Sequence, residues 1–326
     1  MKQTFPPLVI DPAWFRPEAV DGDTISFNEK LESLMGDEPA VNETPVQESR
    51  RIREAGTPRT GPVILSPQAL ERRIPGPGGD IPLRIFFPEK TRGAFLHIHG
   101  GGWVLGRAHL QDPYLEALAR NTSCAVISVD YRLAPEHPYP AAPDDCEAAA
   151  RWLLENGRRE YGLEKFIIGG DSSGAHLSVV TLLRLKAFRG KDTGFAGAHL
   201  VYGVFDLNGT PSMRNYGDRR IVLNTPGMKW FVDQFAPPAL RGEADVSPLY
   251  ARREDLAGMP PALFLVGTGD LLLDDSLFMA SRWAAAGNSA ELAVYPGAGH
   301  GFIGMNSRAA KQARSRGEEF FNKILG

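Results

Sequence analysis

From about residue 70 onward, short apolar runs rich in Val, Ile and Phe alternate with longer stretches whose apolar positions recur every three to four residues. A continuous apolar run reads as a strand buried on both faces, and a stripe at helical period reads as a helix packed along one side. Their alternation predicts an α/β fold with a mostly parallel central sheet flanked by crossover helices. The predicted strands are 81–87, 94–99, 125–131, 166–170, 199–205, 262–266 and 290–295. Among the predicted helices, 144–156 carries a stripe of Cys146, Ala149, Ala150 and Leu153 with Gly157 as its stop. Others are 173–188 and a closing helix over 308–325.

Two stretches break the alternation. Residues 1–65 hold amphipathic helical pieces, with Phe27, Leu31, Leu34 and Met35 sharing one face. Residues 208–247 separate two strands by more than a crossover needs, and contain a helix start at Thr225 and Pro226 followed by Met228, Trp230, Phe231 and Phe235. Long insertions into compact folds often cover sites, so both stretches are expected to form a helical cap. The core is then 66–207 together with 248–326.

Composition narrows the function. The chain has 326 residues, and its 36 basic and 39 acidic side chains give a net charge of −3, so no basic excess exists to neutralise a phosphate backbone. Nucleic acid is not an expected partner. No apolar run approaches the roughly 18 residues of a membrane span, and the opening MKQTFPPLVIDP lacks a secretory signal's apolar centre, so a cytoplasmic location is expected. Cys124 and Cys146 do not have a metal-site spacing and read as reduced, buried thiols.

The chemistry begins at FIIGGDSSG, 166–174, where a predicted strand runs into a turn with Gly170, Ser172 and Gly174 in the GxSxG arrangement and then into a helix. Glycines at those offsets allow a sharp turn that lifts a serine oxygen clear of the sheet, although a serine helix cap would read the same in isolation. The second element is HIHGGGW, 97–103. Three consecutive glycines after a buried strand are costly in chain entropy, and an oxyanion hole explains them, with N–H donors from Gly101, Gly102 and Ser173. A serine hydroxyl also needs a base. Of seven histidines, His97, His99, His109, His137, His176 and His199 read as structural or solvent-facing, whereas His300 in YPGAGHGF lies between the last strand and the last helix. For the acid, Asp270 is first after strand 262–266. Asp274 and Asp275 suit the start of the next helix, and Asp206 is a geometric alternative. The order Ser172, Asp270, His300 is that of an α/β-hydrolase.

These residues resemble the hormone-sensitive lipase-like family of α/β-hydrolases, which holds many bacterial carboxylesterases. The resemblance runs from about 80 to 305 through HGGGW (99–103), DYRLAPEHPYPAAPDD (130–145), GDSSG (170–174), SPL (247–249), MPPALFLVGTGDLLLDD (259–275) and GAGHGF (297–302). It implies a serine carboxylesterase acting on small-molecule esters, with Ser172, Asp270 and His300 as the triad and the HGGG glycines in the oxyanion hole; short to medium acyl chains are the expected substrates. It implies no metal or cofactor, a cap over the pocket, and often a homodimer. Ser173 stands where the family usually has alanine, and Leu271 where proline is frequent. Arg132 and Glu136 are suited by type and proximity to a buried pair bracing the glycine loop. The apolar residues Trp103, Trp230, Phe231 and Phe235 are expected to bind substrate. Arylformamide hydrolysis is an alternative on the same fold. A ligand-binding receptor such as the plant gibberellin receptors is another, but those have lost the catalytic histidine.

Overall fold

A computed structural model describes residues 7–57, 59–190 and 192–326. Its centre is one eight-stranded sheet formed by β1 (Leu70–Gly76), β2 (Gly79–Phe86), β3 (Gly93–Ile98), β4 (Cys124–Val129), β5 (Phe166–Asp171), β6 (Gly197–Val201), β7 (Ala262–Gly267) and β8 (Ala290–Tyr295). The strand order is β1-β2-β4-β3-β5-β6-β7-β8. β1 and β2 form an antiparallel hairpin and β2 pairs antiparallel with β4, while every pair from β4 to β8 is parallel. β3, β4, β6 and β7 are buried at every residue, which explains their unbroken apolar runs. β1 is absent from the sequence prediction for the opposite reason. Its LERRIPG is mostly solvent-facing, and Pro75 is tolerated because this strand forms the sheet's edge.

The helices, in chain order, are α1 (Gly22–Asp37), α2 (Val46–Ala55), α3 (Asp112–Thr122), α4 (Ala141–Tyr161), α5 (Ser173–Arg189), α6 (Pro211–Asn215), α7 (Thr225–Phe235), α8 (Arg253–Leu256), α9 (Leu273–Ala285) and α10 (Arg308–Leu325). Strand alternation divides the core between two helical layers. Leu96, Ile98, Ile168 and Phe264 pack with Leu153 of α4, Leu177 of α5 and Trp283 of α9. On the other face, Phe95, Val126, Ile167 and Leu263 pack with Leu115 of α3 and Phe320 and Phe321 of α10. Among the described residues, no helix is long and apolar enough to cross a membrane.

Gly157 does not stop α4. The helix continues to Tyr161 and ends at Gly162, in the left-handed region at φ 66°, whose N–H donates to the Arg158 carbonyl at 3.0 Å. Gly157 instead lets the helix approach the sheet, because a β-carbon there would stand 2.8 Å from the Phe166 ring. The predicted Arg132–Glu136 pair is also absent. Arg132 donates through Nε and Nη2 to Asp145 at 2.9 and 2.8 Å, while Glu136 accepts from Arg50 of α2 at 2.8 and 2.9 Å and from Gln47 at 2.6 Å. Arg132 needs a buried carboxylate close in the chain, and Asp145 on α4, almost fully buried, meets it.

Candidate active site

β5 ends in the turn that carries Ser172, and α5 starts at the next residue. Ser172 sits at φ 55°, ψ −120°, a strained conformation for a residue with a β-carbon. The flanking glycines make the turn fit. A β-carbon on Gly170 or on Gly174 would stand 1.9 Å from the same atom, the Ile98 carbonyl oxygen at the end of β3. Ser172 N–H donates to the Val201 carbonyl at 2.9 Å, which fixes the turn to β6 as well.

At the same carboxyl edge of the sheet, the loops after β7 and β8 lie against each other. Gly269 N–H donates to the Ala298 carbonyl at 3.0 Å, Thr268 N–H to the Tyr295 carbonyl at 3.0 Å, and Gly297 N–H to Thr268 Oγ1 at 2.7 Å. This mutual bonding sets Asp270 beside His300. His300 Nδ1 lies 2.9 Å from Asp270 Oδ2 and 3.1 Å from Oδ1, and Nε2 lies 3.0 Å from Ser172 Oγ. Since the carboxylate accepts only, Nδ1 carries the proton and Nε2 faces the serine as an acceptor. Asp270 Oδ1 also accepts from Leu272 N–H at 2.9 Å. The structure therefore brings together three residues drawn from 128 positions of chain, all at least nine-tenths buried.

The other candidate acids are engaged elsewhere. Asp206 accepts from Asn208 N–H and the Tyr250 hydroxyl, and Asp274 from Ser212 N–H. Asp275 accepts from the N–H groups of Phe205 and Asp206 and from Thr210 Oγ1, and burial pushes it up to about 7 against those three bonds. The remaining histidines have structural surroundings. His176 Nε2 donates to the Val246 carbonyl at 2.8 Å, which leaves Nδ1 to accept from Trp103 Nε1 at 3.1 Å. His97 bonds Ser128 Oγ, His99 bonds the Gly100 carbonyl and stacks on Tyr131, and His109 meets Glu54. Burial pulls His97 down to about 3 and His176 and His199 to about 4.

The glycine loop follows β3. Gly101 and Gly102 have φ of 125° and 62°, and among the described residues their N–H groups and that of Ser173 have no protein acceptor. The Ser173 donor also lies at the positive end of α5. Arg50, which the sequence reading missed, holds this loop: its Nε donates to the Val104 carbonyl at 2.9 Å and its Nη2 to the Ala134 carbonyl at 2.8 Å, beside the Glu136 pair.

Ser172, His300, Gly101 and Gly102 border a cavity of about 520 Å³, walled on the other side by residues 35–64 and 220–231. Of the four aromatics expected to bind substrate, only Phe231 lines it. Trp103 and Phe235 are fully buried, stacked on each other with ring centres 4.5 Å apart, and Trp230 packs behind Phe231 at 5.1 Å. Trp103 points down because its indole N–H must find an acceptor, which His176 supplies beneath the loop. Lining residues not anticipated include Val41, Arg53, Arg59, Leu223 and Met228.

Known proteins share this plan. A family model described as the alpha/beta hydrolase fold matches residues 95–304. The carboxylesterase NlhH of Mycobacterium tuberculosis is 34% identical over 285 residues, covering 84% of this chain and 88% of that protein. The carboxylic ester hydrolase LipN of the same species is 34% identical over 305 residues, covering 89% and 80%. Among solved structures, a hyperthermophilic esterase from the archaeon Pyrobaculum calidifontis superposes with a TM-score of 0.82 at 28% identity, covering 92% of this chain and 98% of that one. A thermostable esterase from Pseudomonas putida ECU1011 gives 0.82 at 27% identity, covering 94% and 96%.

Proposed function

The chain belongs to the hormone-sensitive lipase-like family of alpha/beta hydrolases and is a carboxylesterase, and on that premise we propose that it works through an acyl-enzyme on Ser172. The observation that carries the reading is the line from Ser172 Oγ to His300 Nε2 at 3.0 Å and from His300 Nδ1 to Asp270 at 2.9 Å, with Ser172 and His300 on the wall of the cavity. His300 takes the serine proton as Oγ attacks the ester carbonyl, and the charge on the former carbonyl oxygen is met by the N–H groups of Gly101, Gly102 and Ser173. Among the described residues these donors have no protein acceptor, so they need not give up a partner to stabilise the intermediate. As the intermediate collapses, His300 passes its proton to the departing alcohol oxygen. Water deprotonated by the same imidazole then releases the acid, and Asp270 keeps the imidazole in one tautomer and balances its charge.

Residues 1–65 and 208–247 act as the cap in this reading, supported by the contribution of residues within 35–64 and 220–231 to the cavity wall; 1–6 and 58 lie outside the described residues. A cavity of about 520 Å³ is the size of a small-molecule site, and esters of short to medium acyl chain are the substrates in this reading. The receptor alternative requires a scaffold without a working base, whereas here His300 bonds both of its partners. A panel of 4-nitrophenyl esters from acetate to palmitate tests the reading. Rates should be highest at or below the medium chains and should vanish in Ser172→Ala; a maximum at palmitate, or an unchanged rate in the variant, would reject it.

A further inference from the structure

Part of the cavity wall carries charge that a neutral ester would leave unused. Four arginines, Arg53, Arg59, Arg107 and Arg220, and two carboxylates, Glu38 and Asp171, line it among the described residues. Arg107 pairs with Asp130 at 3.0 Å, and Arg220 donates to the carbonyls of Met35 and Glu38. Arg53 and Arg59 differ, because neither guanidinium has a hydrogen-bond or ion-pair partner among the described residues, and Arg59 Nε is sealed from solvent.

Glu38 and Asp171 attract them from a distance, but neither hydrogen-bonds them among the described residues. Glu38 Oε1 is itself buried without a donor, and Asp171 accepts from Gln111 at 3.0 Å and Gly100 N–H at 3.3 Å. With Arg107 balanced by Asp130, three arginines face two carboxylates among the described residues of the wall, an excess of one positive charge. Burial, and next the like charge of Arg59, pull Arg53 down to about 10 against the attraction of Asp171 and Glu38, and burial lowers Arg59 against that of Glu38. For both groups the cost of burial outweighs the attraction of those carboxylates, and an anion bound on this wall would relieve it. A guanidinium presents five donors in a planar fork that matches a carboxylate, so two of them on one wall select for that group.

We propose that the preferred esters carry a free carboxylate, which Arg53 and Arg59 hold while Ser172 attacks the ester carbonyl. This rests on the reading of Ser172 as the nucleophile. Water is consumed, the ester C–O bond breaks, and the products are an alcohol and an acid, one of which bears the additional carboxylate.

Two matched pairs of substrates distinguish the acyl from the alcohol side: 4-nitrophenyl hydrogen adipate against 4-nitrophenyl hexanoate, and 4-acetoxybenzoate against its methyl ester. In at least one pair the charged member should have a kcat/KM about tenfold higher or more. In Arg53→Gln/Arg59→Gln that ratio should fall by roughly 30-fold or more, through KM, and Arg53→Lys/Arg59→Lys should restore part of it. Adipate should inhibit the unmodified enzyme competitively where adipamide does not, a readout independent of how the variants fold. Ser172-dependent hydrolysis that favours the neutral member of both pairs, with no inhibition by adipate, would overturn the carboxylate proposal and leave the esterase mechanism standing. Ester hydrolysis that does not depend on Ser172 would remove both.

Discussion

The ring of Phe231 lies over Gly102, so close that a β-carbon on the glycine would stand 2.3 Å from it. The loop carrying the proposed oxyanion donors is thereby coupled to α7, the inserted helix between β6 and β7. Gly102→Ala should lower kcat by about 10²-fold, because the collision and the unfavourable φ both move a donor. Adding Phe231→Ala removes the collision and should recover part of the loss in steady-state assays. No recovery would assign the whole effect to backbone strain.

Asp270→Asn should keep the packing and lose the tautomer. The amide N–H₂ can face Nδ1 as a donor and drive the imidazole proton to Nε2, where it cannot accept from Ser172. A fall in kcat of about 10³- to 10⁴-fold is expected, with an unchanged circular dichroism spectrum. A fall of less than tenfold would count against the assigned role.

Arg50→Met should loosen the glycine loop from α2. The carbonyls of Val104 and Ala134 lose charged donors, a change of about 1–3 kcal/mol in urea unfolding. The ester kcat should drop with it, and Arg50→Lys should restore stability better than rate because a single ammonium cannot span both carbonyls and Glu136. Unfolding energies equal to those of the parent would remove the bracing role.

Buried neutral histidines should make the fold sensitive to mild acid. Burial lowers His97, His99, His176 and His199 in the folded state, His97 to about 3 and His176 and His199 to about 4. Unfolding near pH 5 therefore takes up protons at each of them, and stability that is full above about pH 6.5 is lost as pH falls toward 4, by up to about 1.4 kcal/mol per pH unit for each group. Asp275 works in the other direction, since its raised value means that unfolding releases a proton between about pH 4 and 7. Four groups outweigh one. Urea unfolding at pH 7 and pH 5 should give the lower stability at pH 5; equal or higher stability there would contradict the balance.

What the chain reveals on inspection depends on how local the signal is. β3, β7 and α10 were legible because burial on both faces, or along one stripe, writes itself directly into consecutive residues. β1 was not, because an edge strand with Arg72, Arg73 and Pro75 satisfies solvent as readily as a loop does. Ser172 and His300 stand in short strings whose glycines have a local reason, so their neighbourhoods could be read without the fold. Arg50, Arg53 and Arg59 could not. On an amphipathic stretch they look like a solvated face, and only the folding of residues 35–64 against the glycine loop and the cavity gives them partners or leaves them without. Trp103 misled for a similar reason, since adjacency to the loop in sequence does not decide whether an indole faces the cavity or the core beneath it.

The central claim is that Ser172 alone becomes acylated. Intact mass and peptide mapping after treatment with diethyl 4-nitrophenyl phosphate test it most directly. One diethylphosphoryl group per chain is expected, located on Ser172, formed in step with the loss of esterase activity, absent from Ser172→Ala and greatly slowed in His300→Gln. Full inactivation with the label on another residue, or a Ser172→Ala protein that still labels and still hydrolyses esters, would contradict it.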